Sequence, residues 1–231
     1  MKKMNFRILG LAVILAAGVS FTSCEKDESQ TEPTVGLKFN TVTSSVSLKS
    51  TQARELSFTS GFITLREVQF QIETDNDSVE VDFNIELNTK IDFATGETDP
   101  DISYAEIPAG TYNEMEVEIE LQDEGDSPAM VLNGTYVDAD GVSHDVRFEF
   151  NSGETFEVEK EGTITFATNA SALAQVTFDP TAWFADVENE QLSNATKDNE
   201  GVIVISETQN ANIFDVVADG LDLATEIEIE M

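Results

Sequence analysis

From Glu114 to Leu121 the chain alternates without a break: Glu114, Glu116, Glu118 and Glu120 interleave with Met115, Val117, Ile119 and Leu121. A period of two belongs to an extended strand, whose successive side chains point to opposite faces. A helix would spread these carboxylates and apolar groups around its circumference. A strand sorts them, one row into a core and the other into water. The same pattern runs through Val79, Val81, Phe83, Ile85 and Leu87, alternating with Glu80, Asp82, Asn84 and Glu86. Ile63, Leu65, Val68, Phe70 and Ile72 form a third run with one slip of register between Leu65 and Val68, where a β-bulge is expected.

Shorter strands are expected around 35–40 and 44–49, and at 155–159, 162–167 and 173–178. Val131–Val137 and Val142–Phe150 flank Asp140-Gly141, a two-residue hairpin signal in which both turn residues take positive φ. Pro108-Ala109-Gly110-Thr111 makes a turn before the Met115 strand. Strands at roughly ten-residue spacing, joined by Gly, Pro and Asp turns, point to a mainly β fold, an antiparallel β-sandwich of the immunoglobulin or transthyretin kind. From about residue 179 the pattern changes, and one or two short helices are expected in this last quarter. Asp179-Pro180 reads as an N-cap with proline at the first helical position. Ile213, Phe214, Val216, Val217, Gly220 and Leu221 share one face of a second helix starting near Asn210 or Asn212. Val202–Ile205 is a short buried strand, and Ile227, Ile229 and Met231 alternate in a terminal one.

Fifteen Phe and 40% apolar residues are enough to bury a sizeable core. All 45 acidic residues follow Cys24, while Lys2, Lys3 and Arg7 precede it, so the part after Cys24 is more acidic still than the net charge of −33 for the whole. Such a polyanion repels nucleic acid and anionic headgroups, which excludes nucleic acid as a partner and leaves a solvated acidic surface. One cysteine permits no intramolecular disulfide and no thiolate cluster. One histidine, His144, is too few for the common zinc sites. It sits on the Val142–Phe150 strand, where it reads as an exposed cross-strand residue.

Met1–Arg7 carries three positive charges, and Ile8–Val19 is an apolar run too short to span a bilayer, which needs about twenty residues. It ends in Phe21-Thr22-Ser23-Cys24. This resembles the lipobox of bacterial lipoproteins, with Phe21 in place of the usual aliphatic residue. The resemblance implies a signal peptide over 1–23, cleavage before Cys24 and diacylglycerol on its thiol; several acyl chains then anchor the protein stably. The following Glu25-Lys26-Asp27-Glu28 resembles the export signal of Bacteroidota surface lipoproteins, in which Lys26, Asp27 and Glu28 would direct the protein to the outer face of the outer membrane. A periplasm-facing anchor is the alternative. Residues 24–34 read as a lipidated, flexible acidic tether, and 35–231 as a single domain. Ile107-Pro108-Ala109-Gly110-Thr111-Tyr112 leading into a strand is similar to the small β-sandwich lipoproteins of that phylum.

Clustered oxygen ligands on loops suit calcium. The candidates are Asp75 and Asp77, Asp123-Glu124-Asp126, and Asp138 with Asp140; none completes an EF-hand loop. Asp77-Ser78-Val79 resembles the site at which exported proteins of Bacteroidota receive O-linked glycans, which makes Ser78 the acceptor. Trp183-Phe184 is either a sugar-stacking platform or the anchor that docks a helix on the sheet. The alternating carboxylates read as solvated strand faces, where no desolvation shifts a pKa, so no catalytic residue is assigned. The resulting expectation is a non-catalytic surface module, membrane-anchored by lipid, for a glycan or protein ligand. One alternative is a fimbrillin-like pilus subunit, trimmed after an arginine such as Arg54, with the 225–231 strand as donor. The other is a glycan-directed hydrolase using a carboxylate pair.

Overall fold

The computed structural model describes residues 32–47, 55–74, 81–102, 104–224 and 226–230. Cys24, Lys26, Asp27, Glu28, Arg54, Asp75, Asp77 and Ser78 lie outside the described residues. The elements in chain order are β1 (Thr34–Thr41), β2 (Val46–Ser47), β3 (Glu55–Glu73), β4 (Val81–Asp92), β5 (Thr98–Asp99), β6 (Tyr104–Glu106), β7 (Gly110–Leu121), β8 (Met130–Val137), β9 (Ser143–Phe150), β10 (Thr155–Phe166) and β11 (Ser171–Phe178). Then come α1 (Pro180–Trp183), α2 (Asn189–Ser193), β12 (Ile203–Ile205), α3 (Ala211–Ala224) and β13 (Glu226–Glu230). Among the described residues the protein is mainly β, with short helices confined to the C-terminal quarter. Among the described residues no helix is long and apolar enough to cross a membrane.

The larger sheet runs β10-β7-β3-β8-β9-β12. Its organiser is β3, whose 19 residues carry β8 along the first half of one edge and β7 along the second, with β4 and β2 on the opposite edge. The smaller sheet runs β13-β11-β1-β6. The expectation of purely antiparallel pairing is corrected at two places: β1 pairs with β11 in parallel, and so does β12 with β9. Parallel neighbours need a long connection. Here the first holds most of the larger sheet, and the second runs through β10, β11 and the helical region after Phe178.

The alternating strands sort as their sequence requires. On β7, Met115, Val117, Ile119 and Leu121 are fully buried while the intervening glutamates keep contact with solvent. Inward residues of both sheets join one apolar cluster, and Phe156 of β10 meets Phe178 of β11 edge-on at 6.3 Å. The helices close one side of it. Phe184 packs against Phe58 (5.0 Å) and Phe148 (5.5 Å), and Phe214 stacks on Phe148 and Phe150. The turn before β7 is pinned by the Tyr112 hydroxyl, which donates to the Pro108 carbonyl at 2.7 Å. Burial, and secondarily Glu32, raise the Tyr112 phenol.

Asp140-Gly141 does not form a two-residue hairpin. Val137 pairs with Ser143, so five residues connect β8 to β9, and of the two residues only Gly141 has positive φ. The Asp138 carboxylate organises the loop by accepting the N–H groups of Asp140 and Val142, both at 2.9 Å. Asp198 builds the same turn, accepting Glu200 and Val202 N–H at 2.9 Å, and it too is followed by a glycine and a valine. An aspartate that reaches forward two and four residues makes a wider loop more favourable than a tight I′ turn.

Among the described residues three helices stand in the C-terminal quarter, where one or two were expected. The addition is α2, too short to show a period; Gln191 marks its start by accepting the Glu188 N–H at 2.9 Å. α1 begins as its sequence implies, with Asp179 accepting the Thr181 N–H at 2.8 Å.

Candidate functional site

The inward residues of β3 change parity twice. Leu56 and Phe58 point into the core, then Ile63 and Leu65, then Val68, Phe70 and Ile72. The second change is the expected slip at Arg66. The first lies between Phe58 and Ser60, where the chain inserts one residue relative to β8. Gly61 makes it feasible: its φ is +143°, and a Cβ there would lie 2.0 Å from the Val131 carbonyl oxygen. Without this bulge Phe62 would share the inward parity of Leu56 and Phe58. With it, the ring is turned to the outer face of the sheet. Of the described Phe, Tyr and Trp side chains, Phe62 alone is only half-buried.

Phe62 lines an open cleft of about 490 Å³. Its floor is the outer face of β3, β4 and β8, contributed by Ser60, Phe62, Lys90 and Asn133. Its wall is the segment Glu97–Asp99, carried over from β4 by the Asp92 turn. That turn is built locally: Asp92 Oδ1 accepts the N–H groups of Ala94 (2.8 Å) and Thr95 (3.0 Å), and the Phe93 N–H donates to the Gly61 carbonyl at 3.1 Å. The bulge and the wall are therefore tied together. Lys90 lays its ammonium over the Phe62 ring, 3.8 Å from the centroid. A second cleft of about 400 Å³ lies on the far side of Glu97 and Thr98, against Leu37, Lys38 and Phe39 of β1, with Asp101 at its margin. The two share Glu97 and Thr98 as a ridge.

His144 is partly buried rather than exposed as expected, paired across the strands with Tyr136 and stacked on its ring. Its Nδ1 lies 2.8 Å from the Lys197 ammonium and its Nε2 lies 2.8 Å from Asp138 Oδ2. Lys197 donates, so the ring proton resides on Nε2 and is directed at Asp138. The cluster joins the two aspartate-built loops. The His144 hydrogen bond, then the Val142 N–H, hold the Asp138 carboxyl below the usual range. For Asp198 the Val202 and Glu200 N–H groups and the field of Arg147 act in the same direction.

Asp138 is committed to its own loop and to His144, and Asp140 is exposed at the loop tip. Asp123 instead accepts from Arg66 at 3.0 Å. Among the described residues no three His, Cys, Asp or Glu side chains converge to hold a metal ion. Trp183 and Phe184 are buried, which makes them the anchor of α1 and not a surface platform. Phe62 was missed in the sequence, although a glycine inside a strand is the signal that finds such bulges. No protein-family model matches the chain, and neither does any curated protein or solved structure.

Proposed function

We propose that this chain is a lipid-anchored protein of the outer membrane, held by Cys24 and facing the cell surface, whose β-domain binds a ligand without catalysis. The observation that carries the binding part is Phe62, turned outward by a bulge into a cleft that is otherwise polar. A half-buried ring lining a cleft and flanked by hydrogen-bonding side chains has the composition of a recognition site. The non-catalytic part rests on His144, whose two ring nitrogens are taken by a carboxylate and an ammonium, leaving neither for a nucleophile. The anchor rests on the lipobox resemblance, and the outer face on Lys26-Asp27-Glu28. Two sheets sharing one core support reading the domain as a β-sandwich, which departs from the immunoglobulin pattern in its parallel β1–β11 pair.

Labelled palmitate fed to cells tests the anchor. Label should enter the wild type and be absent from C24A, and protease added to intact cells should remove the domain. Unlabelled wild type contradicts the anchor; a labelled but protected domain favours the periplasm-facing alternative.

A pilus subunit is the second reading, because β1 is an inner strand between β11 and β6. Loss of the chain up to Arg54 would open a slot there for a partner's strand. A mature N-terminus at Cys24 rejects this reading, and one just after Arg54 supports it.

A further inference from the structure

We propose that the Phe62 cleft is a site for a neutral oligosaccharide, which lies across the Glu97–Thr98 ridge and reaches the second cleft. The inference rests on the binding reading above and adds the ligand class. Bulges are devices that re-aim a side chain, and this one turns outward Phe62, the one described Phe, Tyr or Trp ring that is only half-buried. An apolar ring face amid polar groups suits a ligand with an apolar C–H face and an equatorial rim of hydroxyls.

The flanking chemistry matches such a rim. Glu97 and Asp99 accept hydroxyl protons, whereas Ser60, Thr98 and Asn133 both donate and accept. The volume of about 490 Å³ falls within the range of small-molecule sites. The adjoining 400 Å³ cleft behind the shared ridge gives a chain-like ligand a second subsite. Charge excludes the rivals. Three carboxylates in the first cleft and a net charge of −33 oppose an anion. A cation over the ring would lie beside the Lys90 ammonium and be repelled by it, a cost that a neutral sugar does not meet. The exposed contact of Lys90 with the ring is weak and the lysine stem flexible, so a sugar displaces the ammonium, which then donates to the sugar's oxygens.

The test is calorimetric titration of the full chain in detergent with neutral hexasaccharides of glucose, xylose and mannose, and with a hexagalacturonate as the acidic arm. At least one neutral sugar should bind and the acidic one should not. F62L and N133A should weaken binding roughly tenfold or more, and F62Y, which keeps a ring, by much less, all with melting temperatures close to wild type. Binding unchanged in F62L and N133A, or preference for the acidic sugar, overturns the proposal. If no sugar binds but a photo-crosslinker at Ser60 captures an envelope component, the saccharide class fails and the binding reading stands. If neither occurs, both fail.

Discussion

The ammonium of Lys90 sits 3.8 Å from the centroid of the Phe62 ring, on the solvent side of a sheet whose other described aromatics face inward. The pair exists because one residue is inserted in β3 ahead of Gly61, and this insertion is open to direct mutational test.

At Gly61 and Gly134 the facing backbones of β3 and β8 leave no room for a side chain. A Cβ on Gly61 would lie 2.0 Å from the Val131 oxygen, and one on Gly134 would lie 1.9 Å from the Ser57 oxygen. G61A and G134A should each cost more than about 3 kcal/mol, or prevent folding. Gly125 and Gly141 have positive φ but open space around them, so alanine there should cost only about 1–2 kcal/mol. Urea unfolding measures the contrast.

Phe184 is fully buried between Phe58 and Phe148, so F184A should lose about 3–5 kcal/mol through the cavity it leaves. Trp183, the one tryptophan, is buried with its indole N–H unpartnered. Its emission should be blue-shifted in the folded protein and move to the red on unfolding, which supplies the readout for these melts.

The Asp138 carboxyl lies below its ordinary range when folded. A lowered folded value adds stability that is fully present above the unfolded value, near about 4, and is lost as pH falls through the folded one. D138A should therefore melt below wild type at neutral pH, with the gap narrowing under acid. A gap independent of pH would show that the charge contributes nothing.

Glu118 has the opposite sign. Its row was expected to be fully solvated, but burial first, then Glu157, Glu120 and Glu67, hold its carboxyl above the ordinary range. Its ionisation as pH rises lowers stability, and the penalty disappears below the carboxylate range. E118Q should raise the melting temperature at neutral pH by no more than about 3 °C, and by less in high salt, where screening already relieves the repulsion.

Much of this fold is legible in the alternation itself. β7 and the second half of β3 bury the residues their period selects, and the slip at Arg66 is visible as two polar residues between Leu65 and Val68. The first slip was not seen, because Thr59, Ser60 and Gly61 interrupt the apolar pattern much as a turn would. The parallel partners β1 and β11 lie far apart in the chain, and no local pattern encodes such pairing. The Asp138 loop misled because Asp-Gly favours a tight turn, whereas the preceding aspartate captures two backbone N–H groups and widens it. The candidate site was illegible for the same reason as its bulge: the register of β3 against β8 decides that Phe62 faces out, and register is a tertiary property.

The most direct measurement is an aromatic ¹H–¹³C correlation spectrum of the full chain labelled on phenylalanine, titrated with the neutral hexasaccharides. The Phe62 ring signals, identified by their loss in F62L, should shift with ligand while the rings of the buried core hold still. Saturating ligand that leaves Phe62 unmoved, or that shifts other rings in its place, would contradict the proposed site.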